Sequence, residues 1–199
     1  MTAIFIAAML CADPGIYNSV VKLDGKTSQS SGVIIQGRQT DMLILTCAHG
    51  KKLKEEVTVT VGGHKSRRGW VVCYDEKRDL AIISSELAKA RITAIPRPRA
   101  QPPGLGDIVR IKGYGHGHYS ERQTTVIGVR TINVNGNVRD RLRVKGETKP
   151  GDSGGVLINE WGQLVGITNS HDTGNKDVDG YFATLDDIRE FLKENGVQP

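Results

Sequence analysis

Ser153 lies in the stretch of the sequence best suited to chemistry, Lys149-Pro150-Gly151-Asp152-Ser153-Gly154-Gly155. Glycines around the serine allow a tight turn that presents its hydroxyl and leaves backbone N–H groups free to face a carbonyl oxygen. Such a turn suits a nucleophile in acyl transfer. The same residues could equally form a plain hairpin connection before the apolar run Val156-Leu157-Ile158, so the turn alone does not decide its role.

A serine nucleophile needs a base within hydrogen-bond reach and an acid that orients the base. His49 ends an apolar run that begins at Leu45, and Asp79 directly precedes another, Leu80-Ala81-Ile82-Ile83. Each residue alone has an ordinary structural explanation, as a rim histidine or a turn aspartate. Together the three types fit acyl transfer, so His49, Asp79 and Ser153 are the candidate catalytic residues, and this chemistry needs no cofactor.

Short β-branched runs alternate with turn signals through most of the chain, which is typical of an all-β protein. The 24 glycines among 199 residues favour the same turn-rich architecture. We predict two six-stranded antiparallel β-barrels with a C-terminal helix. The predicted strands cover residues 19–23, 31–35, 42–46, 57–61, 69–74 and 80–83 in the first barrel, and 108–112, 124–132, 139–144, 156–158, 164–168 and 180–183 in the second.

The prolines of residues 96–104 lack a backbone donor and fix φ, so this stretch predicts a connector between the barrels. The helix is expected to begin after Thr184 as its N-cap, with Ile188, Phe191 and Leu192 on its apolar face. The predicted units are a first barrel, the connector, a second barrel and the helix, over residues 16–95, 96–104, 105–183 and 184–196.

Residues 1–15 contain an uncharged apolar run that is similar to the core of a secretory signal, although no positive charge precedes it. An apolar first strand is the alternative. The run is too short to cross a bilayer and no later segment approaches the length needed, so we predict no stable membrane insertion. The predicted location is outside the cytoplasm, secreted or periplasmic.

The net charge of +5 raises the question of an acidic partner such as nucleic acid. The basic residues are scattered in short groups with aspartates or glutamates near most of them, as expected of solvated loops and strand faces. No zinc-finger, phosphate-loop or ribonucleoprotein pattern is present in the sequence. We therefore predict no nucleic-acid partner.

The three cysteines form no C-x-x-C pair. Cys47 and Cys73 lie in apolar runs, so both are predicted to be buried free thiols. His116 and His118 alternate with glycines, and a metal site would need further ligands at useful spacing. The sequence predicts no metal site.

Three motifs together resemble those of the chymotrypsin-like, or trypsin-fold, serine proteases, and within them the bacterial HtrA/Deg-like short forms. Thr46-Cys47-Ala48-His49 is similar to the family's Thr-Ala-Ala-His, and Arg78-Asp79-Leu80-Ala81-Ile82 is similar to its Asp-Leu-Ala motif. Gly151-Asp152-Ser153-Gly154-Gly155 matches the nucleophile motif at every position. The resemblance covers residues 17–192.

This resemblance implies a serine endopeptidase that hydrolyses polypeptides in a cleft between the two barrels. It implies that Ser153 attacks the carbonyl carbon, that His49 carries the proton and that Asp79 orients His49. The backbone N–H groups of Gly151 and Ser153 would form the oxyanion hole.

The resemblance also implies a substrate pocket, at Glu147, Thr168, Asn169 and Ser170. An acid at position 147 would favour Arg or Lys in the substrate, and a solvated loop glutamate is the alternative. The sequence leaves the natural substrate and the oligomeric state open.

Asp152 poses a separate question, because no Ile-Val-Gly-Gly start is present and activation by a freed amino terminus is not expected. In activated family members that terminus would neutralise this aspartate. Since an unpaired buried carboxylate is costly, we predict an Arg or Lys contact to Asp152.

Two other functions stay open from the sequence. One is a catalytically silent barrel pair that serves as a binding module, and the other is a serine hydrolase that acts on esters or on its own chain. The intact set of three catalytic residue types argues against the silent module, since binding alone does not need all three.

Overall fold

The two barrels and the helix predicted from the sequence are present in a computed structural model of the chain. It describes residues 19–26, 28–37, 41–49, 51, 54–62, 64–86, 97–134, 136–146, 148–171 and 179–198. In these ranges twelve strands form two antiparallel six-stranded sheets, each closed into a barrel. The fold-class prediction is confirmed.

The first barrel contains strands β1 (Val20–Asp24), β2 (Gln29–Gly37), β3 (Asp41–Thr46), β4 (Glu56–Val61), β5 (Arg67–Asp75) and β6 (Leu80–Glu86). They are ordered β1-β2-β3-β6-β5-β4, and pairing of β1 with β4 closes the sheet. Apolar side chains from all six strands fill its interior, among them Val21, Ile34, Ile44, Val59 and Ile83. This core places the ends of β3 and β6, which carry His49 and Asp79, side by side.

The second barrel contains strands β7 (Ile108–Gly113), β8 (Ser120–Val134), β9 (Asn137–Val144), β10 (Val156–Asn159), β11 (Leu164–His171) and β12 (Gly180–Ala183). They are ordered β10-β11-β12-β9-β8-β7, and pairing of β7 with β10 closes the sheet. A short 3-10 turn, Gly115–Gly117, follows β7. The interior again holds apolar side chains, including Ile111, Leu142, Leu157 and Phe182.

A third apolar cluster joins the barrels to helix α1 (Leu185–Glu194). It combines Leu45 and Leu80 of the first barrel with Val156 of the second and with Phe191 of the helix. Thr184 caps the helix as predicted, since its hydroxyl accepts the N–H of Asp187 at 3.2 Å. The shared core fixes the two barrels against each other where their strand ends meet.

Several strands are longer than the sequence predicted. β8 begins at Ser120, whereas the apolar pattern placed its start near residue 124. Its first residues are polar, but they continue the pairing with β7 as far as Gly113 opposite Ser120. Pairing across the sheet, which a single-strand pattern does not contain, therefore sets this boundary.

The remaining structural predictions concern cysteines and membranes. Cys47 and Cys73 are both free thiols, with Cys47 buried and Cys73 half-buried. Within the described ranges, no helix combines the length and the apolar character needed to cross a bilayer. The apolar run of residues 1–15 lies outside the described residues.

Candidate active site

Two successive tight turns present Ser153. In the first, Asp152 N–H bonds to Lys149 O at 2.9 Å, and Gly151 has φ +95°. In the second, Gly155 N–H bonds to Asp152 O at 2.7 Å, and Gly154 has φ +79°. A positive φ at the third position is the mark of a type II turn, for which Pro150 at the second position of the first turn is also suited. Ser153 thus occupies the second position of a turn, half-buried.

Ser31 of β2 braces this turn from the first barrel. Its N–H donates to Ser153 O at 2.7 Å, and its hydroxyl donates to Gly151 O at 2.7 Å. The same hydroxyl accepts the N–H of Tyr114 at 2.8 Å. A Cβ on Gly154 would overlap the Ser31 carbonyl oxygen and Thr46 Oγ1, so the close approach of the barrels requires a glycine there.

The amides of Gly151 and Ser153 are free within the part of the chain that the structure describes, since neither donates to an acceptor there. Pro150 O accepts the N–H of His116 at 2.7 Å. Because O and N–H of a trans peptide point in opposite directions, this bond turns the Gly151 N–H away from His116. Two free donors beside a serine hydroxyl are what an oxyanion hole requires.

Asp152 is 0% exposed and points away from Ser153 into the second barrel. Its Oδ2 accepts Arg122 Nη2 at 2.6 Å and the Lys149 N–H at 2.8 Å. The predicted basic partner of Asp152 is therefore confirmed, and it is Arg122 on β8. A Cβ on Gly115 would lie 2.8 Å from Asp152 Oδ1, so the glycine leaves room for the carboxylate.

His49 and Asp79 form a bonded pair. Asp79 Oδ2 lies 2.8 Å from His49 Nδ1, and Oδ1 accepts the backbone N–H groups of Ala48 at 3.0 Å and His49 at 2.7 Å. Asp79 is only 2% exposed. The carboxylate therefore fixes both the ring and the backbone of the histidine, as an orienting acid must.

His49 Nε2 lies 3.6 Å from Cys47 Sγ, and no described hydrogen bond joins it to Ser153. The ring is partly exposed. Desolvation of the ring acts to lower the pKa of His49, but the bond to Asp79 and the contact with Cys47 outweigh it and raise that pKa above its ordinary value. Asp79 thus engages Nδ1 of the ring, which leaves Nε2 as the nitrogen able to act as a base.

The predicted pocket residues lie in different places. The side chains of Thr168 and Asn169 are 1% and 2% exposed, so neither side chain is open to solvent. Asn169 Nδ2 instead donates to Asp79 Oδ2 at 2.8 Å and to Asp79 O at 3.1 Å. Ser170 is described only in its backbone, opposite Tyr181, and Glu147 lies outside the described residues.

The main chain of Thr168 bonds to the nucleophile turn. Its N–H donates to Gly155 O at 2.8 Å, and its carbonyl accepts the N–H of Gly154 at 2.7 Å. These bonds tie β11 to the nucleophile turn. Thr168 therefore positions the turn through its main chain.

Sequence reasoning missed two residues of the site. Ser31 and Arg122 stand in ordinary strand patterns, and nothing in their local sequence marks them. His116, considered for metal binding, instead holds the Pro150 carbonyl through its backbone. The described residues contain no group of three or more His, Cys, Asp or Glu placed to hold a metal ion.

Two closed β-barrels, with a histidine–aspartate pair on one and a glycine-turn serine on the other, define the trypsin-like architecture. Residues 30–167 match the family model of the trypsin-like peptidase domain, and the chain belongs to this family.

Among named relatives, the chain is similar to a serine protease HtrA-like of Staphylococcus epidermidis, with 24% identity over 205 residues. That alignment covers 95% of this chain and 35% of the relative. The serine protease Do-like HtrA of Lactococcus lactis is 30% identical over 164 residues, covering 76% of this chain and 39% of the relative. The chain thus spans little more than a third of the length of these relatives.

Solved structures with the same fold include the active form of the Rv3671c protease from M. tuberculosis. The TM-score is 0.77 at 23% identity, and the match covers 92% of this chain and 83% of that one. A serine endoprotease from Yersinia pestis has a TM-score of 0.73 at 21% identity, covering 90% of this chain and 63% of the other. At these identities the likeness establishes the fold.

Proposed function

We propose that this protein is a serine endopeptidase that uses His49, Asp79 and Ser153 and forms an acyl-enzyme intermediate. The observation that carries the proposal is the pair of free amides, Gly151 N–H and Ser153 N–H, in a turn braced by both barrels. A plain hairpin connection does not need unsatisfied donors beside a serine hydroxyl. The names of the relatives, all serine proteases, support the same activity.

The arrangement fits a two-step acyl transfer. Ser153 Oγ attacks the scissile carbonyl carbon while His49 Nε2 takes the hydroxyl proton, and the oxyanion binds the amides of Gly151 and Ser153. The C–N bond then breaks as His49 returns the proton to the leaving amine. Water, deprotonated by His49, hydrolyses the resulting ester and restores the serine. Asp79 stays ionised throughout and stabilises the imidazolium.

Labelling with an active-site organophosphonate tests this proposal directly. We expect the wild-type protein to be labelled at Ser153 and the Ser153→Ala variant to take up no label, because the alanine has no oxygen to form the bond. A matched control is Ser66→Ala, which removes an exposed hydroxyl bonded to Thr60 far from the turn. Absence of Ser153-dependent labelling would favour a catalytically silent binding module.

The raised pKa of His49 sets the pH dependence. Only the neutral ring can accept the serine proton, so kcat/KM should rise with pH as His49 loses its proton. Because the pKa is raised, we expect this rise to be centred above about 6.5, the ordinary value for histidine. A pH profile of kcat/KM on a peptide substrate measures it, and a midpoint below the ordinary value would contradict the assignment of His49 and Asp79 as a coupled pair.

Substrate preference concerns two further residues, Glu147 and Ser170. We propose Glu147 as an acid that favours Arg or Lys before the scissile bond, as the family resemblance implies. Cleavage of a panel of single-residue substrates, by wild type and by Glu147→Gln, tests this idea. Equal cleavage of basic and neutral substrates by the wild type would remove it. Ser170 belongs to the same proposed pocket.

The proposed partner is a polypeptide substrate. Secretion or a periplasmic location is proposed from the apolar run of residues 1–15. Cell fractionation with an antibody against the chain would decide it, and recovery only from the cytoplasm would contradict export.

A further inference from the structure

The backbone of Asp79 has an unfavourable conformation that its surroundings must stabilise. It ends the turn between β5 and β6, and its φ is +56°, in the left-handed region that disfavours a residue with a Cβ. A residue in that region persists only when its surroundings fix it. The contacts of Asp79 with His49 and Asn169 hold its side chain and its carbonyl, but the preceding residue, Arg78, also needs to be fixed.

Arg141 of the second barrel holds the backbone of Arg78 in place. It lies on β9, is 0% exposed, and is among the largest side chains in the molecule to be fully buried. Its Nη2 donates to Arg78 O at 3.0 Å, and its Nη1 donates to Asp187 Oδ2 at 2.8 Å. Arg141 thus connects the peptide next to Asp79 with helix α1.

The side chain of Arg78 makes a second connection to the same helix. Its Nη1 lies 2.7 Å from Asp75 Oδ2 and 2.7 Å from Glu194 Oε2, and its Nη2 lies 3.2 Å from Glu190 Oε2. Asp75 belongs to the strand before the turn, and both glutamates lie on α1. The turn that carries Asp79 is therefore held at its carbonyl by Arg141 and at its side chain by the helix.

We propose that Arg141 is a positioning residue for the catalytic acid, acting with Asp187 to hold the Arg78-Asp79 peptide in place from helix α1. This inference rests on the proposed peptidase function. Arg141 does not touch the Asp79 carboxylate, so it is not a catalytic residue. It acts through the Arg78 carbonyl, one peptide away.

A role confined to stability explains the arrangement less well. A buried ion pair contributes little net stability, because desolvation of both charges offsets their attraction, and apolar residues of similar volume often do as well. Burial does act to lower the pKa of Arg141, and the nearby charges of Asp187 and Asp79 oppose that shift. The guanidinium of Arg141 donates to two acceptors on different elements, Asp187 Oδ2 and Arg78 O. Apolar packing could not supply these two directed bonds.

The test compares Arg141→Met with Arg139→Met in the full chain. Arg139 lies two residues away on β9, is 34% exposed and pairs with the same Asp187 at 3.6 Å, so the control removes a charge from Asp187 while leaving the Arg78 contact intact. Activity is counted per active site, titrated with organophosphonate, and folding is checked by near-UV circular dichroism and thermal unfolding. Arg141→Lys is the second variant, because it keeps the charge and the fold but cannot reach both acceptors.

We expect Arg141→Met to lower kcat about 10- to 100-fold with little change in KM, as small misplacement of a catalytic group does. The rise of kcat/KM with pH should also move to lower pH, because His49 loses its fixed bond to Asp79. Arg141→Lys should lower kcat and move the rise of kcat/KM to lower pH, each by less than Arg141→Met does. The kcat of Arg139→Met should stay within about twofold of the wild-type value.

Folded Arg141 variants with wild-type kcat and an unchanged pH profile would overturn the positioning role. A shift of the profile to higher pH would also overturn it, since it would indicate loss of a nearby positive charge with the geometry intact. If Arg141→Met does not fold, Arg141→Lys decides on the same criteria. An inactive and unlabelled wild-type protein would instead refute the proposed function itself.

Discussion

Asp79→Asn is expected to lower kcat by about 10⁴-fold, the size of loss associated with the wrong imidazole tautomer in this kind of site. The surroundings of Asp79 dictate how an asparagine would be oriented. Oδ1 must remain an acceptor, because it receives the N–H groups of Ala48 and His49. The new NH2 group would then face His49 Nδ1 and force that nitrogen to accept, which places the ring proton on Nε2. The histidine could no longer take a proton from Ser153.

Asn169 makes the same substitution costly in a second way. Its Nδ2 donates to Asp79 Oδ2 at 2.8 Å, so an NH2 group at that position would set two donors against each other. The alternative orientation would oppose the NH2 group to two backbone donors. We therefore expect Asp79→Asn also to lower thermal stability, by about 1–3 kcal/mol for a buried group left unsatisfied.

Steady-state kinetics on one peptide substrate, with organophosphonate titration of active sites, measures the effect. Asp107→Asn is the control, because it makes the same chemical change in a carboxylate that pairs with Arg99 at the surface. The control should retain wild-type activity. Retention of more than about a tenth of wild-type kcat in folded Asp79→Asn would show that Asp79 is not the orienting acid.

The catalytic residue types and the strands around them follow from the sequence because they depend on local information. A glycine on each side of Ser153, β-branched runs with turn signals and an N-cap at Thr184 each impose their structure on a few neighbouring residues. The expected pair of six-stranded barrels is present, whereas the order of the strands within each barrel is known only from the structure.

Asn169 shows where local information fails. β11 carries a bulge between Thr168 and Ser170, so Thr168 pairs with Phe182 and Ser170 with Tyr181 while Asn169 is the extra residue. A bulge breaks the alternation of faces along a strand and redirects a side chain. Asn169 therefore turns inward to Asp79, whereas the resemblance predicted a position in the pocket wall.

Arg122 and Arg141 were beyond sequence reasoning for a related reason. Both lie in polar stretches of long strands, where an arginine is ordinarily a solvated residue. Their roles depend on contacts with residues 30 and 46 positions away in the chain, Asp152 and Asp187. Only the register of β8 and β9 and the docking of α1 bring those carboxylates within reach.

Arg122→Met is expected to lower kcat/KM by about 10²- to 10³-fold through loss of the oxyanion turn, the size of effect seen when an oxyanion donor is removed. Without Arg122 the buried Asp152 carboxylate would keep only the Lys149 N–H as a partner. Turning Asp152 toward water would rotate the Gly151 and Ser153 amides with it, because Asp152 lies between them. Breaking a buried pair costs about 3–5 kcal/mol, so stability should fall as well.

A double-mutant cycle with Asp152→Asn separates this mechanism from general damage. If the charge of Asp152 drives the turn out of place, then neutralising it should restore part of what Arg122→Met removes, so the double variant should be more active and more stable than Arg122→Met alone. Arg110→Met, which removes a neighbouring cation that pairs with Glu121 at 3.7 Å, is the control and should leave kcat/KM unchanged. Strictly additive losses in the double variant would mean that Arg122 supports the site by some route other than the Asp152 carboxylate, and that the nucleophile turn holds its shape without it.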